Sequence, residues 1–101
     1  MLKGVLEGCI LAIIERDTVY GYEISQKLEK LGFGVISEGT IYPILLRLEK
    51  NNQVVSELRE SPNGPRRKYY FLTDIGKEKV KEFEIGWEEV SRAVKNLFGG
   101  E

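Results

Sequence analysis

Three consecutive basic side chains beside a dense turn signal are the residues of this 101-residue chain best suited to contact an anion. The turn is predicted over residues 61–65, which contain two prolines and a glycine, between strands predicted over residues 53–60 and 67–73. The basic residues at this hairpin tip are Arg66, Arg67 and Lys68. A compact cationic tip suits phosphate contact or insertion into a DNA minor groove, where arginine is favoured. The alternative is an ordinary charged surface turn.

Two tyrosines continue the second predicted strand. The hydroxyl groups of Tyr69 and Tyr70 can hydrogen-bond phosphates. Because neighbours on a strand point to opposite faces, both cannot belong to the core. We therefore expect one of the two tyrosines to be buried with Leu72.

A second candidate surface is the outer side of a helix predicted over residues 38–51, for which Ser37 is a favourable N-cap. Its apolar residues share one face: Ile41, Ile44, Leu45 and Leu48. At about 100° per residue, small, polar and basic groups fall on the other side, with Tyr42 and Leu46 on a flank. These outward residues are Gly39, Thr40, Pro43, Arg47 and Lys50. The small side chains allow the helix backbone to come close to DNA, and the basic side chains suit contact with phosphate. The alternative is a core helix with a solvated outer face.

The remaining elements place these two surfaces on one scaffold. Apolar periodicity predicts four helices, over residues 2–16, 21–31, 38–51 and 74–98. Three short helices followed by a hairpin form a winged helix–turn–helix, whose second motif helix enters the major groove. The predicted fold is mainly α with a small β-hairpin and a long C-terminal dimerisation helix. We expect a DNA-binding domain over residues 1–73 and a dimerisation helix over residues 74–101, forming one compact unit.

The last helix carries a seam of apolar residues in steps of three and four. They are Val80, Phe83, Trp87, Val90, Val94 and Leu97. Such a seam needs a partner, and we expect a homodimer that binds a palindromic double-stranded DNA operator. Trp87 is either an anchor of the dimer interface or, with Phe83 and Val90, the wall of a cavity that binds a planar aromatic molecule. Gly86 leaves room for such a cavity.

Composition excludes several other classes of protein. The chain has no histidine and one cysteine, Cys9, so it lacks the common ligands of a zinc site and the usual general base. No nucleophile lies beside a base, and no glycine loop follows a predicted strand. We therefore predict no enzyme, no metal and no cofactor. The single cysteine and the absence of an apolar run of ~18 residues predict a cytoplasmic protein without membrane contact.

Net charge is the feature that argues against nucleic-acid binding. The chain carries a formal charge of −1 and has a pI near 5.6. The basic residues are nevertheless concentrated: residues 37–72 hold six basic and four acidic side chains, whereas residues 73–101 hold five and seven. The alternative function is a dimeric protein-interaction module that uses the heptad seam and does not bind DNA.

Three segments together resemble the PadR family of bacterial transcriptional regulators, in its short subfamily. They are VYGYEI at residues 19–24, GTIYPILLRLE at residues 39–49 and GPRRKYYFLTDIGKE at residues 64–78. The resemblance implies a dimeric winged-helix repressor. It assigns Thr40, Tyr42, Pro43 and Arg47 to the recognition helix, and Gly64, Arg66, Arg67 and Lys68 to the wing.

The resemblance also implies a ligand. Some short members sense planar drugs in a flat pore at the dimer interface, walled by a pair of tryptophans, and others respond to phenolic acids. Trp87 occupies the matching place in the long helix. The function expected from the resemblance is a repressor released by a small aromatic ligand. The chain departs from the family pattern at Asn52, where glycine is common.

Overall fold

Helices account for most of the chain. The computed structural model describes the backbone of residues 2–99 and the side chains of residues 4–99. The elements are α1 (Leu2–Arg16), β1 (Val19–Tyr20), α2 (Gly21–Leu28), α3 (Glu38–Lys50), β2 (Val54–Ser61), β3 (Gly64–Leu72) and α4 (Asp74–Phe98). A π-helical turn, Glu29–Phe33, extends α2 and ends at Gly34, whose φ of 80° favours glycine. The four helices and the hairpin predicted from the sequence are confirmed.

The sheet contains one strand more than the predicted hairpin. Its antiparallel order is β1-β3-β2, with Val19 opposite Tyr70 and Tyr20 opposite Tyr69. A strand of two residues is too short to show the alternation by which strands are predicted. β1 matters because it joins the hairpin of β2 and β3, here called the wing, to the start of α2.

The core lies between the helices and the inner face of this sheet. The largest fully buried side chains are Ile10, Val19, Ile24, Leu28, Ile41, Leu45 and Val54. Tyr70 joins them at 3% exposure, whereas Tyr69 points to the other face, so the prediction of one buried tyrosine is confirmed. Leu72 is partly buried against the same cluster.

Val80 requires a correction. The heptad pattern assigned it to the dimer seam, but its side chain is 8% exposed and belongs to the core of a single chain. The reason is that the first turns of α4 lie close against α1 and the sheet. Val80 is therefore covered before any second copy is added.

Local chemistry explains where α3 ends and α4 begins. Asn52 adopts φ of 60°, a left-handed conformation that asparagine tolerates, so it can end α3 where the resemblance leads us to expect glycine. Thr73 caps α4: its Oγ1 accepts from Gly76 N at 3.0 Å and donates to Asn52 O at 2.6 Å. Ser37 does not cap α3 in this way, because its hydroxyl shares a hydrogen bond with Thr40 Oγ1 at 3.2 Å.

No single helix within residues 2–99 is long and apolar enough to cross a membrane. The pair Gly21–Phe33 and Glu38–Lys50 passes the same test of length and composition only when taken together, and it is bent by 109°.

Candidate nucleic-acid interface

The outer side of α3 is open to solvent. Its four inward residues, predicted from periodicity, are between 0% and 5% exposed: Ile41, Ile44, Leu45 and Leu48. Thr40, Tyr42, Pro43 and Lys50 are exposed, as expected for an outward face. The Tyr42 hydroxyl donates to Glu38 Oε1 at 3.2 Å, and burial followed by this carboxylate raises the pKa of Tyr42. α3 thus presents an exposed, mostly uncharged surface that includes the large side chains of Tyr42 and Leu46.

Arg47 does not lie on that outer face. The helical spacing placed it beside Lys50, but its guanidinium turns towards α1 and binds Glu7. Arg47 Nε donates to Glu7 Oε1 at 2.7 Å, and Nη2 donates to the same oxygen. The side chains of Arg47 and Glu7 are 37% and 28% exposed, so the charge of Arg47 is paired within the chain at a partly exposed position.

The wing distributes its cations over two faces, which corrects the expectation of one compact tip. In the register of β2 and β3, Gly64 lies opposite Ser61, Arg67 opposite Arg59, and Lys68 opposite Leu58. Gly64 begins β3 and is exposed, and Arg66 lies nearest to the turn. Because side chains alternate along β3, Arg67 and Lys68 point to opposite sides of the sheet.

The outer face of the wing holds arginines over aromatic rings. Arg67 Cζ lies 4.5 Å from the centroid of Tyr20, and its Nη1 donates to the Tyr20 hydroxyl at 3.1 Å. Arg59 Cζ lies 5.2 Å from the Tyr69 ring and 5.3 Å from the Phe71 ring. Cation–π contacts of this kind restrict the flexible arginine side chains. The two guanidinium groups therefore share one exposed face of the sheet.

The inner face of the wing is joined to α3 through Glu49. Glu49 Oε2 accepts from Ser56 Oγ at 2.7 Å, and Oε1 accepts from Lys68 Nζ at 3.2 Å. The hydrogen bond from Ser56, more than the charge of Lys68, holds the pKa of Glu49 below its ordinary value. Between wing and helix lies an open groove of about 390 Å³, lined by Tyr42, Pro43, Leu46, Glu49, Lys68 and Tyr70.

A separate cleft brings together the three residues predicted to bind an aromatic ligand. Phe83, Trp87 and Val90 line a space of about 300 Å³. The other residues around it are Gly4, Val5 and Gly86. Trp87 is 48% exposed, and Val90, Val94 and Leu97 continue an uncovered apolar stripe along α4. Among the described residues, no group of three or more histidine, cysteine, aspartate or glutamate side chains is placed to hold a metal ion.

The sequence profile of the Transcriptional regulator PadR-like family matches residues 10–82. The chain belongs to this family. A PadR-like transcriptional regulator from Bacillus cereus is 55% identical, with a TM-score of 0.90, and the match covers 100% of this chain and 98% of the other. A transcriptional regulator of Mycobacterium tuberculosis is 38% identical over 76 residues, which are 75% of this chain and 69% of the relative.

One similar structure contains nucleic acid. Bacillus subtilis PadR, solved in complex with operator DNA, is 29% identical with a TM-score of 0.73. The match covers 80% of this chain and 46% of that one. The winged-helix fold with a long C-terminal helix is shared with these structures.

Sequence reasoning missed three residues of this candidate interface. Tyr20 and Arg59 were not recognised, because their contacts with Arg67 and Tyr69 depend on strand register. Glu49 was overlooked because its partners, Ser56 of β2 and Lys68 of β3, lie 7 and 19 residues away in two other elements. The one signal for Glu49 in the sequence is its position between Arg47 and Lys50, two basic residues predicted on the outer face of the helix.

Proposed function

We propose that this PadR-family member is a DNA-binding repressor that acts as a homodimer and is released by a planar aromatic molecule. The observation that carries the proposal is the groove in which the outward side chains of α3 face Lys68 and Tyr70 of the wing. A helix beside a basic hairpin can occupy the major groove while the hairpin follows the adjacent phosphates or minor groove. The complex of B. subtilis PadR with operator DNA supports this use of the fold.

The apolar stripe of α4 supports the dimer. α4 is the proposed dimerisation helix, and the residues before it form the proposed DNA-binding unit. Residues 1, 100 and 101 of the two predicted ranges, 1–73 and 74–101, lie outside the described residues. Trp87, Val90, Val94 and Leu97 lie 43% to 73% exposed along one side of α4, which is unfavourable for a helix in water. A second copy covers the stripe by symmetry and gives two reading helices for the halves of a palindrome.

The cleft at Trp87 supports a ligand. An indole beside Phe83 and Val90, with glycines at positions 4 and 86 leaving space, fits a flat apolar molecule. A ligand that binds better to one arrangement of the two subunits shifts the separation of the reading helices, and DNA affinity falls by linkage.

The first test is binding of the purified protein to duplexes selected from a random-sequence library, followed by fluorescence anisotropy at several salt concentrations. We expect a dimer whose affinity falls with salt, by a slope of about 0.9 for each phosphate neutralised. Arg66→Ala with Arg67→Ala should weaken binding to all duplexes and flatten this slope. Lys81→Ala, an exposed cation on α4, is the control and should change neither.

Two outcomes contradict the proposal. A monomer that enriches no duplex from the library favours the protein-interaction module instead. A wing variant that binds as tightly as the parent refutes the role of the wing.

The proposed ligand is tested by fluorescence. Quenching of the emission of Trp87, the chain's one tryptophan, by planar aromatic compounds is measured in the absence of DNA. A Trp87→Phe variant reports the background.

A further inference from the structure

Arg47 of α3 forms an ion pair with Glu7 of α1, and a role of Arg47 in contacting phosphate does not explain this pair. We infer that Arg47 is a positioning residue. Its ion pair with Glu7 fixes the placement of α3, the reading helix, relative to α1. A molecule in the Trp87 cleft changes that placement through this pair. This inference rests on the proposed function and deepens it. It adds Glu7 to the residues on which DNA binding depends.

The geometry of the pair shows a fixed contact. Arg47 places two nitrogens, Nε and Nη2, on one carboxylate oxygen of a residue 40 positions earlier in the chain. The side chains of Arg47 and Glu7 are 37% and 28% exposed, whereas those of the wing pair Arg66–Glu60 are 64% and 83% exposed. Breaking a partly covered pair costs more than breaking an exposed one, because exposed charges exchange partners at little cost. Arg47 therefore has to give up its contact with Glu7 before it can turn towards a phosphate.

The surroundings of the pair connect it to the aromatic cleft. Glu7 and Arg47 line a crevice of about 400 Å³ between α1, α3 and α4. Gly4 and Phe83 line both this crevice and the Trp87 cleft. The Phe83 ring also covers Gly8, where an added Cβ atom would meet the ring, so Phe83 packs against the turn of α1 that carries Glu7. A molecule or partner side chain that displaces Phe83 thus acts on the helix turn that holds Arg47.

Glu7→Gln separates the two roles of Arg47 by the sign of its effect. If Arg47 contacts phosphate, Glu7 competes with DNA, and its neutralisation strengthens binding. If Arg47 positions α3, Glu7→Gln weakens binding to the selected duplex. The matched control is Glu15→Gln, which makes the same charge change at an exposed position of α1.

We expect Glu7→Gln and Arg47→Gln each to weaken binding about three- to thirtyfold relative to Glu15→Gln, and the double variant to be no worse than either. The salt slope should stay at the parent's value, whereas the loss of one phosphate contact per subunit lowers it by about 1.8 per dimer. Stronger binding by Glu7→Gln, or a flatter slope for Arg47→Gln, overturns the inference.

Folding defects are separated from positioning by a charge exchange. Glu7→Arg combined with Arg47→Glu restores the pair in reverse, and it should recover binding that Arg47→Glu alone loses. Circular dichroism and sedimentation velocity establish that each variant is a folded dimer. Failure of the exchange in a folded dimer overturns the inference.

The link to the cleft is tested without any ligand. Val5→Phe adds bulk inside the Trp87 cleft and should change DNA affinity in the parent but not in the Arg47→Gln background. No effect in the parent, or the same factor in both backgrounds, overturns the link.

Binding by the parent protein is measured first. If the parent binds no duplex, the proposed function itself has failed. If the parent binds and the variants give results opposite to those expected, only the role of Arg47 is refuted.

Discussion

Glu49 should fasten the wing to α3, and its removal tests that contact. Its carboxylate accepts from Ser56 Oγ at 2.7 Å and from Lys68 Nζ at 3.2 Å. A hydrogen bond to a charged group contributes about 1.5–3 kcal/mol, and a surface ion pair about 0–1 kcal/mol. Since both partners are partly exposed, we expect Glu49→Ala to lower the free energy of unfolding by about 1–2 kcal/mol.

The measurement is urea unfolding followed by circular dichroism at a fixed protein concentration, because dimer stability depends on concentration. Glu57→Ala is the matched control. It removes an exposed carboxylate of β2 that pairs with Arg59 at 3.6 Å, and should change the free energy by less than about 0.5 kcal/mol. Ser56→Ala should lose most of its effect in the Glu49→Ala background. Equal losses for the Glu49 and Glu57 variants would refute the reasoning.

The pH dependence has a definite sign. Hydrogen bonding by Ser56, with the charge of Lys68, holds the pKa of Glu49 below its ordinary value in the folded protein. The unfolded chain therefore binds this proton more tightly, and the carboxylate stabilises the fold above the unfolded pKa of about 4.3. The stability gap between the parent and Glu49→Gln should close as the pH falls through the folded pKa. A gap that stays constant from pH 7 to about pH 3 contradicts this account.

Two further changes test the packing of α4 and the proposed dimer. Gly76→Ala should lower the free energy of unfolding by about 1–3 kcal/mol, because a Cβ there meets the backbone carbonyl of Gln53. Its control, Gly86→Ala, has open space for the Cβ and should raise stability by about 0.5–1 kcal/mol in thermal unfolding. Leu97→Asp places a charge on the uncovered stripe of α4 and should shift sedimentation towards the monomer, whereas an unchanged dimer contradicts the assigned seam.

Local patterns were sufficient for the helices. The bounds of α1 and α4 match those predicted from apolar spacing. They were not sufficient for β1, because two residues carry no periodicity, nor for Val80, because the core stripe and the heptad seam coincide in the first turns of α4. Apolar spacing alone does not show whether a helix face is covered by the same chain or by a second copy.

The candidate site was predictable in its parts and not in its pairing. Phe83, Trp87 and Val90 meet in one cleft because they share a helix face, which spacing reveals. Helical spacing predicted Arg47 on the outward face of α3, whereas its guanidinium turns towards α1 in the structure. That orientation depends on Glu7, which the fold brings to Arg47 from 40 residues away.

The acidic pI is compatible with the proposed DNA binding because of where the carboxylates lie. In the wing, Arg59 and Arg66 pair with Glu57 and Glu60 at 3.6 and 3.3 Å, and all four side chains are well exposed. Such pairs contribute little, so a phosphate can replace the carboxylate without a large penalty. The same carboxylates repel phosphate wherever the fit is poor, which weakens non-specific binding more than binding at a matching site. A net charge near zero then favours discrimination between DNA sequences over total affinity.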